Sequence, residues 1–217
     1  MSTSKIKHRV KLLILEATAN NSDIEISNVI LFENKQWKKY VLLGGRVDKS
    51  DKSPESALAR EIKEETYNLL DISEILKLIP YIDFNSNNEN VRVYFIVMKK
   101  GLFDDQLYSE NKNKLIQKES KVPKDWKEMS NCDRFSINCL LNEWNNTNNA
   151  NELFFCTNTR GQQKPIYPII VQYLKKAKEN GLLQKLINDG HIFEKYVKSV
   201  DNSETFLNGT SIITVNN

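Results

Sequence analysis

The sequence predicts an α+β fold in which helices sandwich a β-sheet. Candidate strands dominate before residue 100, and helical patterns dominate after about residue 136. A single early helical segment lies between the strands. This order of elements is typical of the α+β class.

Five segments have the residue alternation and β-branched content of strands, and polar or Asn- and Ser-rich residues bound each of them. These segments are residues 10–16, 25–32, 40–43, 78–84 and 91–98. The first half of the chain therefore supplies the predicted sheet.

The early helix is predicted at residues 54–66, where Leu58 and Ile62 lie one turn apart on an apolar stripe. Ser53 suits the N-cap, because its side chain can accept a hydrogen bond from a free amide of the first turn. Pro54 suits the first helical position, where no amide is needed. The helix should therefore begin sharply after the preceding turn.

Two amphipathic helices are predicted later, at residues 167–179 and 182–188, and Gly181 between them suits a C-cap. We therefore divide the chain into a domain of residues 1–145 and a helical C-terminal extension of residues 146–217. The sequence leaves open whether this extension packs on the sheet, forms a homodimer contact or covers a cleft.

Three segments lack a clear helical or strand pattern. Residues 101–125 are rich in Lys with interspersed acids and are predicted to form a mobile loop. The Asn-rich residues 145–151 are predicted to be a linker, and residues 201–217 a frayed tail.

The composition predicts a soluble globular protein of a reducing compartment. The 217-residue chain is 40% hydrophobic and 27% charged, and no apolar run approaches the roughly 18 residues that span a membrane. Cys132, Cys139 and Cys156 show no Cys-x-x-Cys spacing, which argues against a disulfide framework and a structural zinc site. We therefore expect a cytoplasmic protein with no membrane partner.

The net charge of the chain does not identify the class of its binding partner. The net charge is +3 and the pI is about 8.6, whereas nucleic-acid-binding domains usually have a pI above roughly 9 with clustered basic residues. Acids interrupt the lysines of residues 99–127, so a solvated surface is expected there in preference to a phosphate or RNA contact.

Three glutamates of the early helix carry the predicted chemistry. Glu61, Glu64 and Glu65 stand at positions i, i+3 and i+4, which places their carboxylates on one patch. Adjacent anions repel one another, so the patch costs stability unless a cation neutralises it. Hard divalent cations such as Mg²⁺ take carboxylate oxygens as ligands. Arg60, four residues before Glu64, can hold the patch in order.

The turn before the helix adds a second element. Gly44 and Gly45 let the backbone approach closely where a side chain would obstruct it, and they can expose a main-chain carbonyl as a further metal ligand. A divalent cation acidifies its bound water and neutralises charge that develops during displacement at phosphorus. Together the two elements predict hydrolysis of a phosphoanhydride.

These residues resemble the Nudix box, a signature of Gly, five residues, Glu, seven residues, Arg-Glu, an aliphatic residue, any residue, Glu-Glu, any residue, Gly and an aliphatic residue. The segment Arg-Glu-Ile-Lys-Glu-Glu at residues 60–65 matches its core without exception. The resemblance implies a Nudix-type α/β/α sandwich with a mixed sheet. It also implies metal-dependent hydrolysis of a nucleoside diphosphate linked to another group.

The resemblance further implies a role for each matching residue. Glu61, Glu64 and Glu65 would bind Mg²⁺ or Mn²⁺, and Gly44 would offer its carbonyl oxygen. Arg60 would orient the glutamates. Glu64, Glu65 and Arg60 are therefore the catalytic candidates within the box.

The segment departs from the box in two places. Counted from Gly45, Asp51 replaces the loop glutamate, and eight residues instead of seven separate it from Arg60. Tyr67 and Asn68 occupy the Gly and aliphatic positions at the helix exit, where Asn68 suits a left-handed cap. Neither departure removes a proposed metal ligand.

Two further positions are proposed outside this core. Many family members draw a catalytic acid from a loop beyond the last central strand, and Glu119 is assigned to that role because it shortly precedes Trp126. Glu110 is the alternative acid. Arg46, next to the glycines, is assigned to a substrate phosphate, with a surface role as the alternative.

The resemblance leaves the substrate open. A small nucleoside diphosphate derivative such as ADP-ribose is the default, and mRNA cap removal is the second hypothesis, suggested by the Lys-rich segment and the C-terminal helices. A third hypothesis, from a different class, is a non-catalytic Nudix-fold ligand-binding module. The inserted loop residue and the missing glycine make this module conceivable.

Overall fold

The first strand, β1 (Lys7–Asn20), shows why the sheet is covered on both faces. Its apolar side chains alternate between two cores: Val10 and Leu12 pack into one, and Leu13 and Leu15 pack into the other. A strand that is apolar on both faces requires a layer on each side. The computed structural model accordingly has the α/β/α arrangement that was predicted.

The structure describes most of the chain. The described residues are 6–20, 23–67, 69–73, 75–85, 88–118, 128–145, 154–188 and 192–193. After β1, the strands are β2 (Asp23–Asn34), β3 (Lys39–Val41), β4 (Tyr81–Asn85), β5 (Glu89–Lys99), β6 (Met129–Ser136), β7 (Phe154–Thr157), β8 (Gln163–Ile166) and β9 (Ile192–Phe193).

These strands form one mixed sheet. Its main path runs β4-β5-β1-β2-β3-β8-β7, with β6 paired to β2 and β9 paired to β5. The pairs β1 with β5, β3 with β8, and β5 with β9 are parallel, and the other pairs are antiparallel. This confirms the predicted mixed sheet.

Five helices cover the sheet in the described part of the chain. They are α1 (Pro54–Glu65), α2 (Asp105–Lys118), α3 (Ile137–Asn145), α4 (Ile169–Glu179) and α5 (Leu182–Asn188). α1 and α2 pack on one face of the sheet. α3, α4 and α5 pack on the other face. A short 3-10 turn at Leu76–Leu78 precedes β4.

The start of α1 follows the prediction. The Ser53 hydroxyl accepts from the Ser56 amide at 3.2 Å, and the Ser56 hydroxyl accepts from the Ser53 amide at 2.9 Å. Pro54 occupies the first helical position. Two amides of the first turn are therefore satisfied before the helix meets the sheet.

The helix exit differs from the expectation for this segment. Tyr67 has a φ of +55° and so takes the left-handed conformation at the position of the family's glycine. Its buried hydroxyl donates to the Met129 carbonyl at 2.9 Å, which ties the helix exit to β6. Asn68, which was expected to form the cap, lies outside the described residues.

The prediction of a mobile loop at residues 101–125 is wrong for most of that segment, because α2 forms there. The Asp104 carboxylate accepts hydrogen bonds from the amides of Gln106 and Leu107 at 2.8 and 2.9 Å, which caps the helix. Tyr108 and Leu115, two turns apart, bury one face against the core. Residues 119–125 lie outside the described part of the chain.

The C-terminal region is not only helical. The predicted helices are present as α4 and α5, with Gly181 between them at a φ of +67°. The strands β7 and β8 precede them and join the sheet, with Tyr40 of β3 paired to Ile166 of β8. The predicted linker, apart from Asn145, and the predicted tail fall outside the described residues.

Within the described residues, no helix has the length and apolarity needed to cross a bilayer.

Candidate functional site

The chain between β3 and α1 returns along β1 and brings the paired glycines against it. The Val10 amide donates to the Gly45 carbonyl at 3.0 Å, and the Leu12 amide donates to the Leu43 carbonyl at 2.9 Å. Gly44 has a φ of +113°, and a Cβ there would lie 2.3 Å from the Val10 carbonyl oxygen. Only glycine fits so close an approach, so this glycine turn is fixed on β1.

Two of the three box glutamates face this glycine turn. A Cβ on Gly45 would lie 2.4 Å from a carboxylate oxygen of Glu61. The Gly44 amide donates to Glu65 Oε2 at 2.5 Å. Glu65 is buried and Glu61 is partly exposed. The Glu61 carboxylate therefore occupies the space that a side chain at residue 45 would fill, and the Gly44 amide holds the Glu65 carboxylate.

Lys11 of β1 supplies a positive charge at the same place. Its ammonium donates to the Gly44 carbonyl oxygen. Burial lowers the pKa of Lys11, and the nearby Glu65 carboxylate partly offsets that shift. Burial likewise raises the pKa of the Glu65 carboxyl, and Lys11 opposes that shift. The only sequence signal for this residue is a lysine that interrupts the apolar run of β1.

Arg60 connects the glutamates to the loop before the helix. Its guanidinium donates to both Asp51 carboxylate oxygens at 3.2 and 3.0 Å and to Glu61 Oε1 at 2.9 Å. Its Nη1 also lies 3.5 Å from Glu64 Oε2. The hydrogen bonds from Arg60 lower the pKa of Asp51. The aspartate that replaces the loop glutamate of the box is therefore a two-oxygen partner of this arginine.

The three box glutamates do not converge on a single point. Across the described residues, three His, Cys, Asp or Glu side chains bring their ligand atoms within 4.8 Å of one another only at Cys139, Glu143 and Cys156, which is a different place. Glu61 and Glu65 lie beside the glycines, and Arg60 contacts both Glu61 and Glu64.

The atoms at the glycine turn nevertheless fit a hard divalent cation. The donors at hand are the carboxylates of Glu61 and Glu65 and the Gly44 carbonyl, and all of them are oxygen atoms. The ammonium of Lys11 donates to that carbonyl, so a metal that takes the carbonyl as a ligand displaces it. Glu64, on the same helix face, is the further oxygen donor.

A cavity of about 410 Å³ shares Lys11 with the glycine turn. Arg9, two residues earlier on β1, also lines it and forms an ion pair with Glu89. Aromatic rings form other parts of the wall, in two pairs: Trp37 with Tyr167, centroids 6.3 Å apart, and Phe84 with Tyr173, centroids 4.5 Å apart. The cavity thus combines positive charge near the turn with aromatic surface.

The other predicted residues lie in different settings. Arg46 is exposed, and its carbonyl accepts from Arg60 Nη2 at 3.1 Å. Glu110 is exposed on α2 and accepts from Gln106 at 2.8 Å. Glu119 and Trp126 lie outside the described residues.

One acid outside the box affects the pKa of a box glutamate. Glu128 is exposed just before β6, and its charge adds to the effect of burial in raising the pKa of Glu65. No local sequence signal separates Glu128 from other loop acids, because its proximity depends on how β6 pairs with β2.

The NUDIX domain family matches residues 19–136, which is more than half of the chain. No curated protein gives a significant match to the sequence. Among solved structures, a MutT/nudix family protein from Enterococcus faecalis is 17% identical, with a TM-score of 0.38 over 63% of this chain and 46% of that one. This chain therefore spans less than half the length of that protein.

Two other solved structures cover more of the chain. The NUDIX domain of Shewanella oneidensis NrtR, in complex with ADP ribose, is 13% identical, with a TM-score of 0.43 over 81% of this chain and 88% of that one. The C. elegans Ap4A hydrolase in a binary complex is 13% identical, with a TM-score of 0.43 over 83% of this chain and 99% of that one. The family match, which includes the glycine turn and α1, identifies the chain: it belongs to the Nudix family.

Proposed function

We propose that this chain hydrolyses the diphosphate linkage of a nucleoside diphosphate derivative, such as ADP-ribose, with Mg²⁺ or Mn²⁺ bound at the glycine turn. One observation carries the proposal: Glu61 and Glu65 lie against the paired glycines, and Lys11 beside them also lines the 410 Å³ cavity. Lys11 is the residue that the oxygen-lined site and the cavity share, and the apolar wall of the cavity belongs mainly to the core that α4 covers, on the face opposite α1. The positive and aromatic side chains of the cavity suit a ligand that has both a diphosphate and a base.

The proposed metal ligands are oxygen donors of the turn and of α1: Glu61, Glu64, Glu65 and the Gly44 carbonyl. A divalent cation there supplies Lewis-acid stabilisation of charge on the phosphate oxygens and makes water a better nucleophile. Arg60 holds Glu61 in place through its hydrogen bond and anchors the preceding loop through Asp51. Lys11 neutralises a phosphate oxygen when the ligand enters.

The attacking water must lose a proton, and carboxylates are suited to accept it. Glu64 is the proposed acceptor within the box, since it is partly exposed and lies at the edge of the Arg60 network. Glu119 stays the proposed acid outside the box. Arg46, exposed beside the glycines, is proposed to contact a phosphate.

The cavity favours a small nucleotide over capped RNA. Its volume of about 410 Å³ lies within the range of small-molecule sites, which is about 300–1,000 Å³. Stacking of a base on an aromatic side chain contributes about 1–3 kcal/mol. Most of the Lys-rich segment that suggested an RNA partner forms the helix α2, in which acids still interrupt the lysines. Free thiols at Cys132, Cys139 and Cys156 suit a reducing, cytoplasmic setting.

The test is a substrate panel with the full chain and Mg²⁺ or Mn²⁺. The panel contains ADP-ribose, nucleotide sugars, dinucleoside polyphosphates and capped RNA, and the readout is release of a phosphate monoester. We expect Glu64→Gln to lower kcat by roughly 10²–10⁴-fold, as loss of a proton acceptor does. Glu179→Gln, at an exposed acid at the end of α4, is the matched control and should leave kcat unchanged.

Two results would contradict this assignment. One is Glu64→Gln turning over every substrate of the panel as fast as the parent. The other is a preference for capped RNA whose binding weakens steeply with salt, since counterion release would then point to an RNA ligand.

One observation favours a second candidate, a ligand-binding module without turnover. Lys11 already donates to the Gly44 carbonyl, so the site holds a cation of its own. Calorimetry with ADP-ribose, with and without Mg²⁺, separates the two functions. Tight binding that needs no metal and leads to no product would support the module.

A further inference from the structure

A second cluster of ligating side chains lies across the sheet from the glycine turn. Cys139 and Glu143 are one turn apart on α3, and Cys156 is on β7. The two sulfur atoms are 3.5 Å apart, and Cys139 Sγ lies 3.0 Å from Glu143 Oε1. All three ligand atoms lie within 4.8 Å of one another. We call these residues the thiol cluster.

The spacing of the thiol cluster is close to that of a zinc site. With Zn–S bonds of about 2.3 Å and Zn–O bonds of about 2.0–2.2 Å, tetrahedral ligand atoms lie roughly 3.6–3.8 Å apart. The observed separations of 3.5 and 3.0 Å are shorter than this by no more than about 0.6 Å. Small side-chain rotations would therefore open the space for an ion.

The charges of the thiol cluster also suit a cation. Within the described residues, no lysine, arginine or histidine forms an ion pair with Glu143, whose hydrogen bond is to the Cys139 thiol. Burial raises the pKa of both thiols, so they are protonated until a cation displaces the protons. Zn²⁺ binding therefore has to displace both protons, which makes the affinity of the site depend on pH.

We propose that Cys139, Glu143 and Cys156 bind Zn²⁺ through two thiolates and one carboxylate, with water as the fourth ligand. Water can reach the ion because Cys139 and Glu143 are partly exposed. On binding, each thiol releases its proton to solvent and forms a sulfur–metal bond, with no change of oxidation state. The ion ties α3 to β7, whose partner β8 leads directly to Tyr167 of the cavity wall.

The sequence did not predict this site, because the spacing of Cys139 and Cys156 has no zinc signature. The fold brings them together: α3 follows β6 on the same face, and β7 returns beside it through the pairing with β8. The ring of Phe154, on β7, packs against Trp144 of α3 with centroids 5.8 Å apart, so the two elements are also held by apolar contact.

The test uses Co²⁺ as a spectroscopic probe for the reduced, chelator-treated full chain. Thiolate coordination gives charge-transfer absorption that carboxylate coordination does not, so this signal distinguishes the thiol cluster from the glycine turn. We expect one Co²⁺ per chain with this absorption, and its loss when Zn²⁺ is added. Cys139→Ser and Cys156→Ser should both abolish the signal.

Three variants complete the test. Cys132→Ser should keep the signal, because Cys132 lies in the core on the opposite face. Glu64→Gln should also keep it. Glu143→Gln should weaken Zn²⁺ binding by roughly tenfold or more. If Cys156→Ser fails to fold, the partly exposed Cys139 and Glu143 carry the test.

Three outcomes would overturn the zinc site. They are a parent protein without charge-transfer absorption, absorption that survives in both Cys139→Ser and Cys156→Ser, and a Cys139–Cys156 disulfide that persists under mild reductant and excludes the metal.

Discussion

The ammonium of Lys11 donates to the carbonyl of Gly44, while the amide of the same glycine donates to the buried carboxylate of Glu65. The backbone carbonyl of Gly44 thus contacts a basic side chain, and its backbone amide contacts an acidic one. The Glu65 side chain is buried and the Lys11 side chain is partly exposed, and each partly offsets the effect of burial on the pKa of the other. A buried ion of this kind is destabilising when its partner is removed.

We therefore predict that Lys11→Met destabilises the metal-free protein. Lys11 opposes the upward shift of the Glu65 pKa, which is nevertheless raised to about 8. Without Lys11 the free energy of unfolding in chelator should therefore fall by about 3 kcal/mol only above that pH, where the buried carboxyl would otherwise ionise. Millimolar Mg²⁺ should restore part of this loss, because a metal at the turn takes over the neutralising role. Urea unfolding with and without Mg²⁺ measures both effects. Lys178→Met, on the exposed face of α4, should show neither.

Gly45→Ala should impair the site more than the fold. The added Cβ would lie 2.4 Å from the Glu61 carboxylate, which is the far end of a side chain and can rotate away. We expect the Mg²⁺ concentration for half-maximal activity to rise by roughly tenfold or more, since Glu61 is displaced. Unfolding by urea should be almost unchanged.

Gly44→Ala is the contrasting variant. Its Cβ would meet the backbone oxygen of Val10 at 2.3 Å, and its φ of +113° adds strain. We expect a loss of at least about 1–3 kcal/mol in unfolding free energy. Gly101→Ala, at a φ of +82° with open space around the new Cβ, measures the strain alone. Equal losses for Gly44→Ala and Gly101→Ala would contradict the proposed contact with β1.

Arg60→Lys should lower kcat/KM while the protein stays folded. Lysine keeps the charge but cannot make the two-oxygen contact with Asp51 or hold Glu61 at the same time. We expect a roughly 10–100-fold loss of kcat/KM and a change in unfolding free energy below about 1 kcal/mol, because the arginine is partly exposed.

The matched control for Arg60→Lys is Arg92→Lys. Arg92 makes the same kind of contact with Asp83, at 2.7 and 3.0 Å, but outside the glycine turn. A double-mutant cycle of Arg60→Lys with Asp51→Asn should give a coupling of about 0.5–3 kcal/mol in kcat/KM. Additive effects would show that the two residues act independently.

Trp37→Ala and Tyr167→Ala should raise KM with little effect on kcat. If these rings stack on the base, each contributes about 1–3 kcal/mol to binding, which corresponds to a roughly 5–150-fold rise in KM. Such contacts are uniform between the ground state and the transition state. Phe155→Ala, an equally exposed aromatic residue of β7 outside the cavity wall, should leave KM unchanged.

Sequence patterns predicted those helix boundaries that residues at the boundary itself determine. Ser53 and Pro54 mark the start of α1, and Gly181 separates α4 from α5 because it takes a positive φ. The strands β6, β7 and β8 were missed. β6 forms through pairing with β2, and β7 and β8, which have four residues each, form through pairing with each other and with β3. The helix α2 was not predicted, because charged residues surround Tyr108 and Leu115 in the sequence and obscure the helical spacing of its apolar face.

The candidate site was predictable where it lies within one helix. The order of Arg60, Glu61, Glu64 and Glu65 identifies the acidic face directly. Lys11 precedes the glycines by 33 residues, and its contact with Gly44 depends on how the glycine turn returns along β1. A contact of this kind follows no periodicity or fixed spacing, so the sequence alone could not predict it.

The helix exit allows a prediction that weighs two opposing effects. Tyr67→Gly would restore the family's glycine and relieve about 1–3 kcal/mol of backbone strain. It would also remove a fully buried ring, and loss of a large aromatic side chain costs about 3–5 kcal/mol. We therefore expect a net loss of about 2 kcal/mol in unfolding free energy. A glycine variant more stable than the parent would show that strain dominates.

The family match ends at residue 136, yet Tyr167 and Tyr173 of the cavity wall lie beyond it. The segment by which the family is recognised and part of the wall of the proposed ligand cavity therefore lie in separate stretches of the chain. Proteins with an identical box can diverge in what they accept through changes that leave the box untouched. Redesign toward a new ligand would accordingly begin at residues 167–173.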